Sequence, residues 1–199
     1  MISDDDFVRL FQERAGLNPD GWPGRDTLAV LDQVLPPRRS PALTEAADDV
    51  PADYFPMLAQ IESGNRPYIK ASSSSASGLY QFIRSTWEAE GGVWGTDMTK
   101  AFGGLRPSEA EQLARAKTFT AKNAHYLKRK GIPINRASLY AAHFLGALTA
   151  TNVIGADVDA SAEALAGAAA TNANPSILRG KTVGQFLTWL HGKTGQWAR

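Results

Sequence analysis

Apolar positions recur along this chain at helical rather than strand spacing. Phe7, Leu10, Phe11 and Leu17 in FVRLFQERAGL predict a short helix ended by Gly16, and Leu28, Leu31, Val34 and Leu35 predict a second. NPDGWPG between them is rich in turn residues. Four prolines between positions 36 and 51 break the pattern and predict a linker over 38–52. Beyond it, Phe55, Leu58 and Ile61 share one helical face, and Leu79, Phe82, Ile83 and Trp87 predict another helix within GLYQFIRSTWEAE. The longest predicted helix starts from Ser108 as N-cap, with Glu111 to complete a capping box. It carries a stripe at Leu113, Ala116, Thr120 and Leu127 and stops at Gly131. ASLYAAHFLGAL predicts an almost wholly apolar central helix and SAEALAGAAA a short alanine-rich one. Val183, Phe186, Leu187 and Leu190 predict a last helix. The expectation is a mostly α chain: a helical segment over 1–37, a linker over 38–52 and a larger helical domain over 53–199.

Composition narrows the chemistry. At 199 residues and 43% hydrophobic, the chain can bury one ordinary core plus a small appendage. It has no cysteine, which removes disulfides, thiolate metal sites and cysteine nucleophiles. His125, His143 and His191 lack ligand spacing and no GxSxG motif occurs, so neither metal nor cofactor is expected. Three aspartates in MISDDDFVRLFQE stand where an export signal carries positive charge, and no apolar run approaches a membrane span. Neither a leader nor membrane insertion is therefore expected. Residues 1–53 hold 11 acidic and 5 basic side chains, net −6, whereas residues 54–199 hold 9 and 16, net +7. The basic part suits an anionic partner, and charge alone admits nucleic acid, anionic membrane and cell-wall polymer alike.

One carboxylate stands out. Glu62 follows Ile61 at the end of an apolar helix, just before Gly64. The negative end of the helix dipole and apolar neighbours would both raise its pKa, as a proton donor near neutral pH requires. The same local pattern also describes a solvated glutamate at a helix end. After it comes ASSSSASG over 71–78, a composition common in linkers.

Glu62-Ser63, then SASGLYQFIRSTW over 75–87, LYAAHFLGA over 139–147 and ANPSIL over 173–178 resemble, in order and spacing, the lysozyme-like soluble lytic transglycosylase family. The resemblance implies a lysozyme-like catalytic domain over 53–199 that cuts the β-1,4 bond between MurNAc and GlcNAc in peptidoglycan. Glu62 would act as general acid and then base, the substrate's 2-acetamido group standing in for a second carboxylate. A 1,6-anhydro product would mark a transglycosylase and attack by water a muramidase, an alternative that the sequence leaves open. The resemblance also implies that Ser72 or Ser73 bonds the acetamido group, that Gly78 lets the backbone approach the sugar, and that Gln81 lines the cleft. Tyr80 either stacks on a sugar or packs, while Leu79 and Phe82 read as core. His143 stands where many relatives have a tyrosine and is either a cleft residue or a core histidine. Glu88, Glu90 and Asp97 follow, without a spacing that assigns any of them to the site.

LFQERAGLNPDGWPGRDTLAVLD over 10–32 resembles the second half of a small helical peptidoglycan-binding module, with Asp20, Gly21, Gly24 and Thr27 matching its DGxxGxxT and Trp22 free to pack or stack. The two resemblances together are similar to a modular phage endolysin. Such a protein is expected to be a monomer made in the host bacterial cytoplasm, reaching peptidoglycan strands after holin-type release, with no nucleic-acid partner. The alternative is a noncatalytic wall-binding or virion structural protein that keeps the fold without the chemistry. On either reading the serine run lies inside a domain rather than between two.

Overall fold

The computed structural model describes residues 4–21, 24–34 and 49–199. The chain is mostly helical, and no named strand occurs among the described residues. Two compact units are formed, residues 1–40 and 41–199. Trp22 and most of the expected linker, residues 38–48, lie outside the described residues.

The first unit contains α1 (Asp4–Arg14) and α2 (Arg25–Val34). Gln12, only 2% exposed, ties them together. Its Nε2 donates to Asp20 Oδ1 at 2.8 Å and to Thr27 Oγ1 at 3.0 Å, while its Oε1 accepts from the Gly21 amide at 2.9 Å. The DGxxGxxT pattern is thus read by one buried glutamine. Thr27 sits inside the first turn of α2, where it is this partner and not a cap. Phe7, Leu10, Leu28 and Val34, predicted for apolar stripes, are exposed, because two short helices offer little interior to fill.

The second unit runs α3 (Tyr54–Ser63), α4 (Arg84–Ala89), a 3-10 turn (Ala101–Gly104), α5 (Glu109–Arg129), α6 (Arg136–Leu145), α7 (Ala147–Gly155), α8 (Ala162–Ala173), α9 (Pro175–Leu178) and α10 (Val183–Thr194). Every residue of α6 from Ala137 to Ala142 is buried, and α5, α7 and α10 pack against it, which makes it the central helix. Asn135 caps it in a reciprocal box with Ser138, as Thr182 and Gln185 do for α10. On α5, Ser108 Oγ accepts from the Glu111 amide at 3.1 Å as expected. The Glu111 carboxylate turns instead to Arg115, at 2.7 Å, so only half of the predicted box forms.

Two predicted helices are corrected. ASLYAAHFLGAL is split between α6 and α7 by Gly146, whose φ of 80° and ψ of 149° only glycine adopts readily. GLYQFIRSTWEAE is helical only from Arg84; Gly78–Ile83 forms a tight non-helical turn. There the Ser77 amide donates to the Phe82 carbonyl at 3.0 Å and Gln81 takes a φ of 47°. The apolar side chains of this segment still reach the core, Leu79, Phe82 and Trp87 being buried, so helical spacing was satisfied by a different backbone.

Candidate active site

Glu62 stands one residue before the end of α3. The chain reverses at once through Gly64 and Asn65, both left-handed, whose amides return to the Gln60 and Ala59 carbonyls at 3.1 and 3.2 Å. Ser63 fastens the same corner: its buried hydroxyl donates to the Ala59 carbonyl at 2.9 Å and accepts from the Arg66 amide. Glu62 is therefore carried on a fixed helix end, its carboxyl partly buried. Burial raises its pKa from the ordinary carboxylate value to about 7, against the Tyr140 hydroxyl and the more distant Lys193 charge, which both favour the ionised form.

Two further tyrosines surround the acid. Tyr140, on α6, is 4% exposed, and its hydroxyl interacts with the Glu62 carboxylate. Tyr54, on α3, is fully buried; its hydroxyl has no hydrogen-bond partner of good geometry, and Thr120 is the polar side chain that bears on it. Burial first, and the Glu62 charge second, push both phenols upward, so they stay protonated and the Tyr140 O–H is available to donate toward the carboxylate. Behind Tyr140 lies an aromatic layer. Trp189 of α10 stacks on it at 5.8 Å, and Phe144 and Phe186 stack on each other at 6.4 Å.

The loop after α3 is a compact hairpin. Lys70 bridges to Ser77 and Ser77 to Phe82 in antiparallel fashion. Lys70 Nζ donates to the Ala71 and Ser74 carbonyls, and Ser75 Oγ accepts from the Arg84 amide at 3.0 Å. Ser77 Oγ donates to the Ser75 carbonyl and accepts from the Phe102 amide. Ser74, Ser75 and Ser77 thus hold the loop. Ser72 and Ser73 are exposed, and their hydroxyls make no hydrogen bond among the described residues, which leaves them open to a ligand.

Gly78 is buried, and its missing side chain serves the protein's own packing. A Cβ there would fall 2.4 Å from both Gln112 Oε1 and Phe102 Cζ, on a backbone with φ of 79°. Gln112, 1% exposed, accepts from the Leu79 amide at 2.9 Å and donates to the Pro67 and Pro107 carbonyls, each at 3.1 Å. It clamps the Gly78–Ile83 turn to α5. Gln81 Nε2 folds back onto the Gly78 carbonyl at 2.9 Å, leaving its side chain partly exposed. Tyr80 is 5% exposed with its ring edge-on to Phe55 at 6.3 Å, so it offers no open ring face for a sugar in this structure.

His143 joins this turn to α6. Its Nε2 lies 3.0 Å from the Tyr80 carbonyl, which can only accept, so Nε2 carries the proton. The ring lies edge-on between Phe82 and Phe119, at 6.0 and 5.8 Å, and burial depresses its pKa to about 4. His143 is a neutral structural histidine here, and the tyrosine whose hydroxyl bears on Glu62 is Tyr140, one turn earlier on the same helix. The clue available in the sequence was LYAAHFLGA itself, which places Tyr140 at i−3 from His143.

The other carboxylates are engaged elsewhere. Glu90 meets Lys122 at 2.9 Å and Thr118 at 2.8 Å, and Glu88 meets Arg84 at 2.9 Å. Asp97 bonds Thr99 and Lys100, which hold its pKa down at about 2. No second carboxylate bears on Glu62 among the described residues, and none of their His, Asp and Glu side chains cluster in a set able to hold a metal ion. No described helix is long and apolar enough to cross a membrane. A surface depression of about 470 Å³ between Asp49, Lys128 and Gly131–Ile134 contains none of the residues above. Glu62 is thus a protonatable acid with the Tyr140 phenol bearing on it, and the loop that follows α3 carries the free hydroxyls of Ser72 and Ser73. No protein-family model matches the chain, and no curated protein matches it.

Proposed function

We propose that this protein cleaves the glycan strands of bacterial peptidoglycan, with Glu62 as the sole general acid and base in a lysozyme-like domain. The observation that carries this reading is the carboxyl of Glu62, raised to about 7 at a fixed helix end with the Tyr140 hydroxyl beside it. Such a group is protonated often enough near neutrality to donate, and acidic enough to release its proton. The motif order Glu62-Ser63, GLYQF and LYAAHFLGA supports the same reading, and so do the unpaired hydroxyls of Ser72 and Ser73.

In the proposed reaction Glu62 transfers its proton to the glycosidic oxygen as the C1–O bond breaks. The substrate's 2-acetamido oxygen takes up the developing positive charge at C1. The carboxylate left behind is stabilised by the O–H of Tyr140. It then removes a proton from the incoming hydroxyl, either the sugar's own 6-hydroxyl or a water, as that oxygen bonds to C1.

Digestion of purified sacculi followed by mass spectrometry of the soluble muropeptides tests this. Anhydro-muramoyl ends are expected from a transglycosylase and reducing muramic acid from a muramidase, and Glu62→Gln should release neither while still folding. Intact strands with the parent protein, or equal release by Glu62→Gln, would overturn the assignment; sacculus binding without cleavage would point to a wall-binding protein.

A further inference from the structure

The first turn of α3 carries a phenol that packing alone does not explain. Tyr54 is 0% exposed, with its ring edge-on to Phe55 at 5.3 Å, and its hydroxyl has no hydrogen-bond partner of good geometry among the described residues. A buried hydroxyl without a partner costs stability that a phenylalanine of the same shape avoids. The oxygen therefore adds nothing to the core, and what surrounds it is polar.

Three helices bring polar groups toward this hydroxyl. Thr120 of α5 is 2% exposed, Tyr140 of α6 is 4% exposed, and Glu62 is partly buried near the other end of α3. Besides burial, the Glu62 charge and Thr120 act on the Tyr54 hydroxyl, and Glu62 and Tyr54 act on that of Tyr140. Lys193 of α10 is the further charge that bears on Glu62. In this cluster Tyr54 is a donor without an acceptor. A carboxyl that keeps its proton is a poor acceptor, whereas a carboxylate accepts at both oxygens and holds a donor roughly twice as strongly. A donor that finds its partner only as charge develops favours the chemical step over binding, because its hydrogen bond is missing from the ground state.

We propose that Tyr54 is a positioning residue for the cleavage reaction: its hydroxyl, idle while Glu62 is protonated, turns to the Glu62–Tyr140 pair and steadies the carboxylate as the proton leaves. This rests on the wall-cleaving reading above. Being fully buried, Tyr54 does not touch the sugar and acts through Glu62.

Tyr54→Phe in the full chain tests this, because it removes one oxygen and keeps the ring. Carbon-13 NMR titration of the Glu62 carboxyl needs no substrate, and its midpoint should move to higher pH in the variant, since a donor to the ionised form has gone. Release of soluble muropeptides from sacculi, followed below the alkaline limb of the pH profile, should slow about three- to tenfold, the scale of one hydrogen bond. The slowing should be equal at saturating and limiting sacculi, so that kcat falls and KM stays. The thermal midpoint should be no lower than the parent's. An unmoved Glu62 titration, or release as fast as the parent's, overturns the inference and leaves the cleavage reading intact. A parent that releases nothing from sacculi overturns the cleavage reading and, with it, the role assigned to Tyr54.

Discussion

Glu62 and His143 depart from ordinary acidity in opposite senses. The folded protein holds the Glu62 proton up to about pH 7, whereas the unfolded chain releases it near 4.5, so its contribution to stability falls as pH rises between those values. Folded His143 takes up its proton only near 4, whereas the unfolded chain does so near 6.5, so its contribution falls as pH drops through that range. Between about 4.5 and 6.5 the two slopes oppose one another. Glu62→Gln should uncover the histidine slope, giving urea-unfolding free energies that rise with pH across this window and exceed the parent's above pH 7. An unchanged profile in the variant would contradict the burial assigned to Glu62. At the same scale, Tyr140→Phe removes the donor that favours ionised Glu62. The alkaline limb of the cleavage profile should move to higher pH, and the rate should fall about tenfold, the size of a hydrogen bond to a charged group.

Among the elements, the Gly78–Ile83 turn is held by what surrounds it rather than by its own residues. Gln112 reaches it from α5, His143 from α6 and Ser77 from the hairpin. Gly78→Ala meets both a left-handed backbone and two occupied positions, and a loss of roughly 2–4 kcal/mol is expected. Thermal unfolding measures it, and an alanine variant as stable as the parent would show that Phe102 and Gln112 can give way. The serines of the hairpin divide in the same manner. Ser75 and Ser77 are used by the fold, whereas the exposed Ser72 and Ser73 hydroxyls are not.

Over the whole molecule, the two units rest on different kinds of order. Residues 49–199 surround a continuous apolar core centred on α6, whereas the two helices of the first unit are tied by the polar contacts of one buried glutamine. Gln12→Ala should strip hydrogen-exchange protection from the described parts of 4–34 and leave 54–199 unchanged. Loss of protection in both would show that the first unit's order is shared with the second. Helix content was legible from the spacing of apolar residues, because burying one face of a helix requires that spacing wherever the helix sits. The place of Glu62 at an apolar helix end was legible as a local property, but its burial was not, since the same pattern describes a solvated glutamate. What Gly78–Ile83 and the ring of His143 do was decided only in three dimensions, since Gln112, Phe102 and the Tyr80 carbonyl lie tens of residues away along the chain. Tyr140 shows the limit most plainly. Its place on an apolar helix is written in LYAAHFLGA, but only the tertiary fold brings its hydroxyl to bear on Glu62, because such an interaction depends on ångströms that no sequence spacing encodes.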